Sequence, residues 1–427
     1  MGVSSSFGYF YWDVYKDRLE LKKLISSTIG LLLIFQIIFI SLGLIFGEGL
    51  LELFVKSSDK FTYYPFFVTS LLFSAFMVYY EMFLYFFRNE GKLKQYALLS
   101  VSTLILLTLG TLYGVVWLDW KAIGAIWGRT FGYGVVVTIF FLYIVSKFGI
   151  SFDFKRSKYI LIFSIPLFIN ALVGALSYSV DRLIIERFDT IESIGVYGFA
   201  LIIISAIEVW FNALNNALSP TLYKFIHESI NAKKKEIRSL SNLIILSVLV
   251  IVAIIIALIY PFMHLMIPEN FHQAALYLPI LSISFIWRVM TTLSSYSIYS
   301  KKKTKLLLVN QSSYLIAIVC LGYLGYRYWG ILGIVYAVYF TRVIEFIIMN
   351  YISMKTKKLP FHLKNLIIIT VIISICCFVC TYLNLEGEGT FIPYLLPLAC
   401  LLLISPFIIR PELRNVFYLI KNRKSVL

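Results

Sequence analysis

Charged residues are scarce in this chain. Lysine, arginine, aspartate and glutamate make up 14% of its 427 residues, whereas a soluble domain averages about 25%. Hydrophobic residues account for 60% of the chain, and the mean hydropathy is +0.86. This composition excludes an ordinary soluble protein and predicts a polypeptide that lies largely within a membrane.

Residues that commonly perform enzyme chemistry are also few. The chain has four histidines, none at the spacing of metal ligands, and it has no Walker pattern or glycine-rich phosphate loop. No histidine or carboxylate accompanies Cys376, Cys377 and Cys380, so these cysteines are interpreted as small apolar residues of a helix. The sequence therefore predicts no enzyme, no metal site and no cofactor, and any driving force must come from the membrane.

Long apolar runs are what the chain has instead. A spanning helix needs about 20 mostly apolar residues, and continuous runs favour helices over a β-barrel. The predicted fold is an all-α polytopic membrane protein with about twelve transmembrane helices. The predicted spans are 24–47, 65–88, 96–118, 122–147, 158–181, 190–222, 239–266, 274–299, 304–326, 328–353, 363–384 and 390–410.

Basic residues mark one side of the membrane. Of the 38 lysines and arginines, 29 lie in alternate loops, six in the opposite loops and three within spans. Cytoplasmic loops are enriched in lysine and arginine, so both termini are predicted to be cytoplasmic. The net charge of +16 is spread over seven short loops, which indicates contact with anionic lipids and argues against nucleic acid as a partner.

A weak internal duplication runs through the spans. In each half, an aromatic-proline start is followed by a basic turn, one further span and then a tryptophan close to a glycine. This order predicts two pseudo-repeated bundles, related by an axis along the membrane normal. The matching landmarks are Tyr63–Pro65, Trp120 and Gly124 in the first half, and Tyr277–Pro279, Trp329 and Gly333 in the second.

A motif between two predicted spans indicates a family. Asp181–Phe188 (DRLIIERF) followed by Ile194–Gly198 (IGVYG), with Ser164–Leu167 before them, resembles the junction of helices 7 and 8 in polysaccharide transport proteins. These are the Wzx-like repeat-unit flippases of the multidrug/oligosaccharidyl-lipid/polysaccharide exporter superfamily. In the family this motif ends the seventh helix, but here it ends the fifth. The resemblance therefore implies that the first two helices are missing, through a truncated reading frame or as a true loss of half a gate.

The resemblance and the duplication together predict three segments. Residues 1–157 would form an N-terminal lobe with helices 3 to 6 of the family pattern. Residues 158–355 would form a six-helix C-terminal lobe. Residues 356–427 would form a C-terminal helix pair with a basic tail.

Ionisable residues within the predicted spans are the first candidates for a transport pathway, because a charge there costs about 2.5–3.5 kcal/mol on insertion scales. Arg342 and Glu345 are three residues apart on one helix and can pair with each other. Arg129 and Arg288 have no carboxylate within a turn of their own helices, so each needs an anion from another helix or from a substrate. The candidates for ion coupling are Glu81, Glu208 and Glu345.

Two predicted helices carry a polar face. Asn170, Gly174, Ser177 and Asp181 recur at helical spacing, and packing of small residues with interhelical hydrogen bonds is the favoured interpretation. Asp181 and Arg182, which carry the family motif, can fix the turn between two helices near the outer membrane face. The second face favours a hydrated cavity and contains Glu208, Asn212, Asn215 and Ser219, with Asn216 beside them. The candidate pathway residues are Arg129, Arg288, Arg342, Glu208, Asn212, Asn215, Asn216 and Asn170.

The resemblance implies a flippase in a bacterial plasma membrane. Its substrate would be an undecaprenyl-diphosphate-linked oligosaccharide, moved outward by alternating access between two lobes. Arginine suits a diphosphate because its planar guanidinium binds phosphate oxygens in pairs. Expected partners are this substrate, membrane lipids and the polysaccharide polymerase and chain-length regulator of the same pathway. Three alternatives remain: a small-molecule exporter of the superfamily, a membrane polysaccharide polymerase or ligase, and a non-transporting scaffold.

Overall fold

The computed structural model describes residues 7, 10–11, 14, 17–54, 63–150, 153–228, 233–301, 303, 305–356, 359–361, 363–386 and 391–404. Within these residues all regular structure is helical. The helices are α1 (Arg18–Phe54), α2 (Val68–Asn89), α3 (Leu93–Leu112), α4 (Lys121–Phe148), α5 (Phe154–Ser177), α6 (Val180–Phe188), α7 (Ile191–Glu228), α8 (Lys234–Met266), α9 (Ala274–Ser300), α10 (Lys305–Thr356), α11 (Leu363–Glu386) and α12 (Ile392–Ile404). Single π turns at Tyr63–Phe67 and Tyr113–Trp117 and a 3₁₀ turn at Glu269–Phe271 complete the described elements.

The described part of the chain contains ten helical segments that are long and apolar enough to cross a membrane. The longest, α10, has non-helical backbone at Trp329 and at Gly330, whose φ is +57°. The chain reverses there, because Leu307 packs in one cluster with Met349 near the other end of the same helix. The protein is therefore a multi-pass membrane protein, as its hydropathy predicts.

Many of the hydroxyl groups within the spans donate to a backbone carbonyl of their own helix. The Thr28 hydroxyl donates to the carbonyl of Leu24 at 2.7 Å, and Thr103 and Thr370 make the same bond four residues back. Hydrocarbon offers no hydrogen-bond partner, so a hydroxyl in a span needs such a bond. Because of these hydrogen bonds, a threonine or serine in an apolar helix does not by itself indicate a transport pathway.

The described chain divides into two compact units, Met1–Leu172 and Val173–Leu427. The core of the first unit is rich in phenylalanine, with Phe83, Phe86 and Phe87 of α2 packed with Phe140 of α4. In the second unit α9 forms the centre, and nearly all of its side chains from Ala274 to Ile298 are buried. The lobe boundaries at residues 157 and 355 stay predictions from the sequence.

Each unit contains a helical hairpin with glycines at its closest approach. In the first unit, a Cβ atom at Gly124 would overlap the backbone of Gly114 across the α3–α4 turn, which carries Trp120. In the second unit, a Cβ atom at Gly333 would overlap the backbone of Gly325 across the turn at Trp329. The two turns thus share the landmarks on which the predicted duplication rests.

The predicted span 158–181 contains a turn near its end, and the apolar helical segment continues to Phe188. Helix α5 stops at Ser177, and a new helix, α6, begins at Val180. The hydroxyl groups of Ser177 and Ser179 donate back to the carbonyls of Val173 and Ala175, a pattern that often bends helices. Asp181 therefore belongs to the first turn of α6 and does not share a continuous helix face with Asn170, Gly174 and Ser177.

Candidate transport site

An ion pair joins two helices of the second unit inside candidate spans. Arg288 of α9 donates from Nη2 to Oε1 of Glu208 on α7 at 2.7 Å. Arg288 thus finds the anion that its own helix lacks on a neighbouring helix. The side chains keep 25% and 38% of their surface exposed.

A second ion pair lies within the second half of α10. Arg342 donates from Nη1 to Oε2 of Glu345 at 2.8 Å, which is the contact that their spacing allows. These side chains are only 8% and 7% exposed. The pair is therefore enclosed by protein, whereas the Arg288–Glu208 pair is not.

Tyr178 lies against both arginines. Its ring centroid is 5.1 Å from the guanidinium carbon of Arg288 and 5.2 Å from that of Arg342. Arg342 also lies over the ring of Tyr314, at 4.3 Å. Both distances to Tyr178 are within the range of cation–π attraction, so one tyrosine helps to orient two guanidinium groups.

The polar face predicted on α7 continues from this ion pair towards the end of the span. The Tyr296 hydroxyl of α9 donates to Oδ1 of Asn215 at 2.9 Å and is also hydrogen-bonded to Ser219. Asn212 and Asn216 are exposed. Glu208 and Asn215 are two turns apart, or about 10 Å along the helix. Helices α7 and α9 are thus joined by two successive polar contacts, Glu208–Arg288 and Asn215–Tyr296, which we call the polar ladder.

The first unit holds a different arrangement around Arg129 of α4. Arg129 is exposed and makes no hydrogen bond or ion pair with any described residue. Tyr133, one turn further along α4, interacts electrostatically with both Glu81 and Arg129. The Tyr133 ring lies 5.0 Å from that of Tyr80, whose hydroxyl is hydrogen-bonded to Ser100. The sequence singled out Arg129 and Glu81 but not the tyrosines around them.

The Asp-Arg motif forms part of a helix junction. Asp181 accepts a hydrogen bond of 2.6 Å from the hydroxyl of the fully buried Tyr197 and one of 2.8 Å from the backbone N–H of Arg182. Tyr197 lies on α7 in the second part of the motif, so both parts meet in one contact. Arg182 is exposed. This geometry agrees with a role for Asp181 in holding α6 against α7.

Asn170 and Gly174 belong to the first of the two predicted polar faces. Asn170 lies in the first unit, and its Oδ1 is buried without a hydrogen-bond partner among the described residues. A Cβ atom added at Gly174 would lie 3.8 Å from the side-chain amide of Gln311.

Within the described ranges, no three histidine, cysteine or carboxylate side chains come close enough to hold a metal ion. The cysteine pair Cys376 and Cys400 has its sulfur atoms 3.1 Å apart.

The model of the polysaccharide biosynthesis protein family matches residues 11–226, half of the chain. The lipid II flippase MurJ in an inward closed conformation is similar with a TM-score of 0.69 at 16% identity, over 96% of this chain and 90% of MurJ. No curated protein sequence matches significantly.

Two exporters of known structure are also similar. A MATE protein in its straight conformation gives a TM-score of 0.60 at 13% identity, over 83% of this chain and 82% of its own. The MATE transporter VcmN of Vibrio cholerae in its bent form gives 0.59 at 16% identity, over 83% and 84%. At these identities the likeness concerns the fold alone, which this chain shares with a lipid II flippase and with MATE proteins.

Proposed function

Because the chain belongs to the polysaccharide biosynthesis protein family, we propose that it is a flippase for lipid-linked oligosaccharides. It moves undecaprenyl-diphosphate-linked repeat units from the inner to the outer leaflet of a bacterial plasma membrane by alternating access. The fold likeness to a lipid II flippase supports a substrate with a lipid tail and a glycosylated diphosphate head. The product is used for surface polysaccharide.

The polar ladder on α7 and α9 is the observation that carries this proposal. Its charged contact offers a guanidinium group to the diphosphate, and its Asn215–Tyr296 contact offers amide and hydroxyl groups to a sugar. Exposed amides such as Asn212 and Asn216 are costly against lipid tails, so they favour a hydrated surface. The two contacts are about 10 Å apart, which suits a head group that extends beyond its phosphates.

The distribution of basic loops supports the direction of transport. The loops that contain 29 of the 38 lysines and arginines face the cytoplasm in this proposal, together with both termini. A membrane potential that is negative inside favours outward movement of an anion by about 2.3 kcal/mol per charge per 100 mV. The diphosphate head therefore moves outward with the electrical gradient, and Glu81 and Glu208 remain the candidates for ion coupling.

Arg129 of the first unit is a separate candidate for binding an anion. Arg129 is exposed inside a span and has no carboxylate bound to it among the described residues, and such a guanidinium is stabilised by water and by a phosphate ligand. Tyr133 and Tyr80 form an aromatic and hydroxyl surface beside it. We infer that Arg129 binds the diphosphate during part of the transport cycle.

The test is the appearance of lipid-linked repeat units in the outer leaflet of cells that depend on this protein. Replacing Asn215 by Ala together with Tyr296 by Phe removes the neutral part of the ladder and is expected to lower transport at least tenfold at equal abundance. Asn384→Ala is the matched control, because this amide bonds to the carbonyl of Cys380 within its own helix. Unchanged transport in the double variant, or export of small cationic compounds with no movement of repeat units, contradicts the proposal.

A further inference from the structure

The two ion pairs of the second unit differ in ways that their sequence does not show. Both join an arginine to a glutamate by one charged hydrogen bond, at 2.7 and 2.8 Å. The Arg342–Glu345 pair is enclosed, with side-chain exposures below 10%, but Glu208 keeps 38% of its surface exposed. Arg288 is also one of few side chains on α9 that are not buried.

The exposed pair uses little of the binding capacity of its arginine. A guanidinium has five N–H donors, and the contact to Glu208 is a single hydrogen bond from Nη2. A phosphate group can bind two of these donors at once and carries more charge than a carboxylate. A diphosphate that reaches Arg288 therefore has an advantage over Glu208.

The surroundings of Arg288 can keep the guanidinium in place when its partner changes. The rings of Tyr178 and Phe285 lie 5.1 and 5.3 Å from its guanidinium carbon and do not depend on Glu208. Tyr178 is held in turn by Arg342, whose own carboxylate partner is enclosed. The site can thus exchange an anion without losing the orientation of its cation.

We propose that Glu208 is an internal competitor for the substrate: it occupies the anion site on Arg288 in the resting protein and is displaced by the diphosphate of the lipid carrier. This inference rests on the proposed function and assigns the part of the substrate that Arg288 binds. Glu208 keeps Arg288 neutralised between transport cycles, which lowers the cost of a charge in the span. It also limits the affinity for the substrate, so that the product can leave.

The experiment measures binding and needs no transport. Farnesyl diphosphate and inorganic diphosphate are titrated into the purified full-length protein in detergent. Glu208→Gln is expected to bind both ligands about tenfold more tightly, because the competing carboxylate is gone, whereas Arg288→Gln binds them at least tenfold more weakly. Glu236→Gln is the charge-matched control, since Glu236 pairs with Lys233 outside the ladder, and its affinity should equal that of the unmodified protein.

A second variant covers a folding defect in Glu208→Gln. Glu208→Asp keeps the charge but shortens the side chain, so its contact with Arg288 weakens and ligand affinity is expected to rise by a smaller factor. Affinity that is unchanged or weaker in both Glu208 variants overturns the inference, even if transport is intact. A different result overturns the proposed function: the variants show the expected changes in affinity, but the unmodified protein moves no lipid-linked oligosaccharide.

Discussion

The arginines of the two units lie in opposite electrostatic surroundings. In the second unit, Arg288 and Arg342 each contact a glutamate and the same tyrosine ring. In the first unit, Arg129 is exposed and has no ion pair among the described residues. The same residue type thus occurs as an enclosed pair, an exposed pair and an unpaired cation.

We infer from this comparison that burial and pairing, more than the presence of a charge in a span, separate structural from functional roles. An enclosed pair is expensive to break, because the remaining charge is left in a poor solvent. An exposed pair can exchange its anion, and an unpaired guanidinium is available for one. We therefore expect the effects of substitutions to move from stability towards transport in the order Arg342, Arg288, Arg129.

The largest effect is expected at the enclosed pair. Arg342→Ala leaves Glu345 buried without its partner and should lower the stability of the protein by about 3–5 kcal/mol. Thermal unfolding in detergent and abundance in the membrane measure this loss. The double variant Arg342→Leu with Glu345→Leu removes both charges and should recover most of the stability; a double variant as unstable as the single one contradicts a simple ion-pair role.

The two hairpins should respond alike to a single added methyl group. Gly333→Ala in the second unit and Gly128→Ala in the first place a Cβ against the backbone of Gly325 and of Gly110. Each is expected to cost about 1–3 kcal/mol through overpacking. Gly195→Ala, which meets no atom within 4 Å, is the control in the same assay. A large loss at only one hairpin would show that the two turns are not equivalent.

A loss no larger than that at the hairpins is expected at the helix junction. Tyr197→Phe removes the hydroxyl that donates to Asp181 and leaves this buried carboxylate with fewer partners. The expected cost is about 1–3 kcal/mol, measured as a lower unfolding temperature with transport per folded molecule little changed. If Tyr197→Phe abolishes transport in a fully stable protein, the motif serves the pathway and not the junction.

Local features of this structure could be predicted from the sequence, and long-range ones could not. The spans follow from runs of apolar residues, and the Arg342–Glu345 contact follows from a spacing of three within one helix. The Arg288–Glu208 contact joins residues 80 positions apart, and no local pattern specifies which helices are neighbours. The break between α5 and α6 falls at Tyr178 and Ser179, where neither proline nor glycine marks it, and this break brings Tyr178 to the arginines.

Reconstituted protein tests most directly whether Arg129, which has no ion pair among the described residues, serves transport. Vesicles containing Arg129→Gln, or the Arg342→Leu and Glu345→Leu double variant, are compared for the movement of undecaprenyl-diphosphate-linked oligosaccharide per folded molecule. We expect Arg129→Gln to unfold like the unmodified protein, within about 0.5 kcal/mol, but to transport at least tenfold more slowly, while the double variant keeps most of its transport. Full transport by Arg129→Gln, with loss confined to the double variant, would contradict this expectation.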